Sequence, residues 1–117
     1  MVNDLIDEVR RLSTLIDKGV LALRTAAHKA AEAEHHYRQV KAAAWAENVD
    51  GTVPERTAQV DGVCADARLS RDYAEAERLA ALEALRSRRA QLSALQSVMS
   101  ADRAEAEVAR YGTEVSA

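Results

Sequence analysis

Phenylalanine is absent from this chain, and its only aromatic residues are Tyr37, Trp45, Tyr73 and Tyr111. Aromatic side chains supply the largest pieces of buried area in a globular core. Their scarcity argues against a compact globule in a chain of 117 residues, a length with room for one domain. One proline and four glycines leave few places where a helix must break. Cys64 is the single cysteine, so no intramolecular disulfide is available. No apolar run approaches the roughly 18 residues of a membrane span. The opening Met1-Val2-Asn3-Asp4 lacks the basic-then-apolar layout of a secretory signal. The expectation is a cytoplasmic protein with no membrane partner. A net charge of −3 does not point to a strongly basic nucleic-acid binder.

What the chain does have is alanine, glutamate, arginine and leucine, the composition of long helices and coiled coils. Every seventh residue from Val2 reads Val2, Val9, Ile16, Leu23, Ala30, Tyr37, Ala44. The companion series three residues on reads Leu5, Leu12, Gly19, Ala26, Ala33, Val40, Glu47, with a charge only at its end. A seven-residue apolar repeat sustained this long predicts a coiled-coil helix over about 3–47. Asn48-Val49-Asp50-Gly51 is turn chemistry, because Asn, Asp and Gly tolerate left-handed backbone angles. Thr52 and Glu55 have the spacing of a capping box, and Pro54 falls in the first turn, where its missing N–H does no harm. A turn over 48–52 and a second helix over about 53–110 follow, with a flexible tail at 112–117. The stripe of this second helix is Val60, Cys64, Ala67, Ala74, Ala81, Leu85, Leu92, Leu95, Met99 and Ala106, with Arg71 and Arg78 where the repeat calls for apolar residues.

A short turn makes the two helices antiparallel. The expected architecture is all-α, one hairpin over residues 1–111. If positions summing to about 101 face one another, Ile16 meets Leu85, Val9 meets Leu92, Val2 meets Met99, Gly19 meets Leu82 and Tyr37 meets Cys64. Two helices have no true interior, and the apolar face far from the turn is wider than one neighbour covers. Leu5, Ile6, Val9, Leu12, Leu15, Ile16, Leu82, Leu85, Leu92, Leu95 and Met99 are the candidate oligomer interface. Pairing of hairpins into a four-helix bundle or a higher oligomer would cover it.

Three groups of residues are candidates for chemistry. Arg86, Arg88 and Arg89 lie in 84–101, a stretch without acids, and the expected register brings Arg10 and Arg11 near them. Five guanidinium groups there would suit phosphates or an acidic partner, whereas pairing to Asp7, Glu8, Asp17 and Glu83 makes them an ordinary solvated surface. His28, Glu32, His35 and His36 share helical spacings, and Glu32 with His35 forms one Glu-x-x-His unit of a carboxylate-bridged metal bundle. Such a site needs two units and two more glutamates, so a polar face is the simpler reading and no metal or other cofactor is expected. Trp45 before the turn and Tyr111 near the end resemble the secreted two-helix WXG family. The glycine follows Trp45 by six residues instead of two, however, and Glu114 follows Tyr111 by three instead of four. Trp45 reads more simply as a cap on the alanine end. No Ser–His–acid set, glycine-rich phosphate loop or zinc spacing is present, and an enzyme is not expected.

The runs Tyr37-Arg38-Gln39-Val40-Lys41-Ala42 and Gly51-Thr52-Val53-Pro54-Glu55-Arg56, and the stretch from Glu83 to Ser97, resemble a group of small helical proteins of actinobacterial phages and prophages. The stretch from Arg86 to Ser97 is the most specific part. The resemblance implies a place near phage replication or recombination functions, with no settled activity. It suggests a role beside DNA, through a phage or host protein partner or through the arginine cluster. The expectation is thus a non-enzymatic, self-associating scaffold, with an accessory nucleic-acid binder as the alternative.

Overall fold

A computed structural model describes the backbone over residues 2–116 and the side chains over 3–112. It shows two long helices packed as a hairpin: α1 over Val2–Glu47, 46 residues, and α2 over Val53–Ser116, 64 residues. The described residues contain no strand. α2 continues to Ser116, past the expected end near residue 110, because nothing between Arg110 and Ser116 breaks it: Gly112 weakens a helix without stopping it. The expected contact of Val2 with Met99 involves a side chain outside the described ones. Where a flexible tail is expected at 112–117, the backbone of 112–116 is helical.

The reversal between the helices is built from local hydrogen bonds. Asn48 closes α1, donating from its backbone N–H (3.0 Å) and from Nδ2 (2.7 Å) to the Ala44 carbonyl. Gly51 has φ 98°, the left-handed conformation that costs glycine little. Thr52 and Glu55 form the capping box reciprocally. The Thr52 N–H donates to Glu55 Oε2 at 3.3 Å, and the Glu55 N–H donates to Thr52 Oγ1 at 3.4 Å. Arg56 then reaches back from Nε to the Asn48 carbonyl at 2.6 Å and lies over Trp45, 5.2 Å from its ring.

The chain divides into two compact units, residues 21–83 and residues 1–20 with 84–117. In the first, Tyr37, Ala44, Val60, Cys64 and Ala67 form the core, flanked by Val40 and Trp45. The Cys64 thiol is buried there. In the second, Leu12 and Leu85 are the buried residues among those described, at 1% and 3% exposure.

Of the buried and half-buried positions of α2, Val60, Cys64, Ala67, Arg71, Ala74, Arg78, Ala81, Leu85, Arg88, Leu92, Leu95 and Met99 form one series, with Arg56, Arg68, Glu75 and Leu82 half-buried beside it. The spacing within the series alternates between four and three without interruption, so this is one heptad seam that admits three arginines. The register differs from the expected one by about a turn. Gly19 faces Leu85, not Leu82, and Arg88 reaches Leu15. The offset starts at the turn, where Arg56, not a residue nearer the turn, comes level with Asn48.

Candidate interaction surfaces

In the unit of residues 21–83 the seam arginines are held by acids. Arg71 lies 3.1 Å from Asp72 and 3.7 Å from Glu34, with its guanidinium 4.3 Å from the Tyr37 ring centroid. Arg78 makes a bidentate pair with Glu75, at 2.9 and 2.6 Å, and this pairing holds the Glu75 carboxyl below its ordinary range. Between the two arginines lies an open groove of about 380 Å³ on Ala27, Ala30 and Ala31. The reason is local sequence: alanines leave room, and long arginine stems fill the seam while their heads reach water. With Glu34, Asp72 and Glu75 around two arginines, the groove has no surplus of positive charge for an anion.

The unit of residues 1–20 and 84–117 presents aliphatic surface instead. Leu5, Ile6, Val9, Leu15, Ile16, Val20, Leu92, Leu95 and Met99 are half-buried, as is Leu82 in the other unit. Leu12 and Leu85 must be withdrawn from the oligomer surface, because both are already buried within a single chain, Leu85 against Gly19 of α1. A shallow groove of about 330 Å³ runs past Glu8, Leu12, Gln91, Ala94, Leu95 and Val98. Beyond it, every side chain from Ala101 to Gly112 is exposed.

The arginine cluster does not stand as one patch. Arg11 is paired with Glu8, whose carboxyl is held low by that hydrogen bond. Arg88 lies on the seam, half-buried, and donates from Nη1 to the Leu15 carbonyl at 3.5 Å. Arg10, Arg86 and Arg89 are exposed. The sequence carried the signal for Arg88: it follows Leu85 by three, a seam spacing, and position outweighs charge there.

The histidine group stays on the surface. His28 Nε2 lies 3.0 Å from Glu32 Oε1, and His35 and His36 are exposed. Among the described residues no three His, Cys, Asp or Glu side chains converge as metal ligands. Trp45 packs against the core cluster beside the turn, as a cap does. No helix among the described residues is long and apolar enough to cross a membrane. No family model, curated protein or solved structure matches the chain.

Proposed function

We propose that the chain is a non-enzymatic interaction module: a helical hairpin that self-associates through its terminal half and acts as a scaffold for a protein partner. The setting is the phage replication or recombination neighbourhood implied by the resemblance to small phage proteins. One observation carries this reading. Among the described residues of the unit formed by 1–20 and 84–117, two apolar residues are buried and nine large apolar side chains are only half-buried, with no third element of the chain to cover them. At about 25 cal/mol per Å² of apolar surface removed from water, covering several of these side chains contributes several kcal/mol toward association. That is the scale needed to offset the lost freedom of two bodies. The surrounding charge is balanced within the chain, so the driving force is apolar.

Molar mass by light scattering across a concentration series tests the reading. The expected result is a dimer or larger species at micromolar concentration, shifted toward monomer by Ile6→Glu or Leu15→Glu without loss of helical circular dichroism. A monomer at every concentration overturns it.

A further inference from the structure

The exposed end of α2 has an occupant's shape, and the groove beside Leu12 has a vacancy of matching character. α2 has 64 residues against 46 in α1, so its last turns extend beyond α1. A helix segment of a dozen residues without packing is marginal in water. Ala101, Ala104, Val108 and Tyr111 follow one another at spacings of three and four, which sets them on one stripe. Val108 and Tyr111 are 73% and 70% exposed. The groove is lined by Leu12, Ala94, Leu95 and Val98 together with Gln91 and with Glu8, which Arg11 neutralises, and Ala94 lets another helix approach closely.

Charge selects the occupant and its direction. Residues 84–101 contain Arg86, Arg88 and Arg89 and no acid. Residues 102–112 contain Asp102, Glu105 and Glu107 against Arg103 and Arg110. Parallel pairing of two α2 helices sets basic on basic and acid on acid. Antiparallel pairing sets the basic stretch of each against the acid-rich end of the other, and complementarity of this kind fixes register and orientation.

We propose that residues 101–112 of α2 seat in the groove beside Leu12 and Leu95 of a second copy, with the two α2 helices antiparallel. This rests on the self-association reading and gives it a surface and a direction. The two-fold axis passes near residue 99. Ala104 then lies opposite Ala94 of the second copy, Val108 opposite Ala90, and Glu107 within a turn of Arg89. Both grooves are filled at once, which makes the contact isologous and closed.

The test uses the full chain. Val108→Glu and Tyr111→Glu alter side chains that are exposed in one copy, so the hairpin itself keeps its helicity and melting temperature. The dimer dissociation constant is expected to weaken at least tenfold, while Tyr73→Glu, an equally exposed site in the other unit, leaves it unchanged. Orientation is read from spin-label distances in a Cys64→Ala background. Arg110 lies opposite residue 88 of the second copy, so labels on Arg110→Cys are expected roughly 33 Å apart, at ~1.5 Å per residue. Labels on Ser97→Cys fall much closer together. A dimer whose dissociation constant stays within twofold of the original in both glutamate variants, or whose Arg110 labels are as close as the Ser97 labels, overturns this surface and leaves self-association standing. A chain that is monomeric at every concentration overturns both.

Discussion

Gly19 lies against Leu85: a Cβ on the glycine would stand 3.2 Å from Leu85 Cδ1 and 3.9 Å from Leu85 Cβ. The missing side chain is what lets Leu85 seat fully in the seam. Gly19→Ala gains helix propensity of about 1 kcal/mol and asks only a methyl tip to move, so the two effects nearly cancel and stability stays close to the original. Gly19→Leu forces the backbones apart and costs about 1–3 kcal/mol. Gly62 is the control, since a Cβ there meets nothing within 4 Å. Gly62→Ala is expected to stabilise by about 0.5–1 kcal/mol. Thermal melts of the three variants check the order, and a destabilising Gly62→Ala contradicts the open surroundings described for that position.

The turn makes a second prediction. At Gly51, with φ 98°, an alanine both adopts a left-handed conformation and places its Cβ 2.6 Å from Glu55 Oε2, displacing the carboxylate that caps Thr52. Gly51→Ala is expected to cost about 1–2 kcal/mol from the left-handed geometry alone. Thr52→Ala removes the acceptor for the Glu55 N–H and costs about 1 kcal/mol. Because both act on the same box, the double variant is expected to lose less than the two single losses combined. Full additivity in denaturant melts would show that the two residues do not share a network.

The turn and the seam differ in how far sequence exposes them. The Thr52–Glu55 box is a local pattern, and local patterns survive without tertiary knowledge. The helix face of α1 was legible for a similar reason: Leu12, Ala30, Tyr37 and Ala44 all belong to the two seven-residue series and all are buried. Register was not legible, because a heptad repeat slides by a turn at little cost when most facing residues are alanine. What fixes it is specific contact between the helices, in the distant fit of Leu85 on Gly19 and in the reach of Arg56 across the turn to Asn48. The candidate surface suffered from the same gap. Leu12 and Leu85 are as apolar as Leu15 and Leu95, and only the register shows which of the four the partner helix covers. In the arginine cluster, charge drew the eye to Arg88 while its seam spacing placed it against the α1 backbone.

Acid is expected to weaken the hairpin modestly and in a defined window. Hydrogen bonds from Arg11 and Arg78 hold the carboxyls of Glu8 and Glu75 below their ordinary value of 4.5. A carboxyl with a lowered value in the folded chain adds stability that is present above the unfolded value and is lost as pH falls through the folded one. The loss therefore begins near pH 4.5 and deepens below it. The Arg11 pair is open to solvent and the Arg78 pair is partly so, so solvent and salt screen them. The double variant Glu8→Gln, Glu75→Gln is expected to show a shallower fall of melting temperature between pH 5 and pH 3, in a range set by the ordinary value of 4.5. An unchanged slope would mean that neither pair matters in solution.

The arginines give the sharpest division between the scaffold reading and an accessory nucleic-acid binder. Each phosphate that a basic side chain neutralises on duplex DNA adds about 0.9 to the slope of log affinity against log salt. With Arg11 held by Glu8 and Arg88 turned to the Leu15 carbonyl, Arg10, Arg86 and Arg89 remain exposed. Three such contacts give a slope of roughly −3 per copy and, by themselves, only weak, sequence-independent affinity at physiological ionic strength. Stacking side chains for single strands are missing there too, since Tyr111 is the only aromatic residue after Tyr73. The scaffold reading therefore expects no binding of single- or double-stranded DNA near 150 mM salt, about the ionic strength at which the screening length falls to ~8 Å. Fluorescence anisotropy across a salt series decides the point. Binding that is tight at that salt, falls steeply as salt rises and disappears in Arg86→Glu, Arg89→Glu would make the cluster a working nucleic-acid surface and displace the scaffold as the main role.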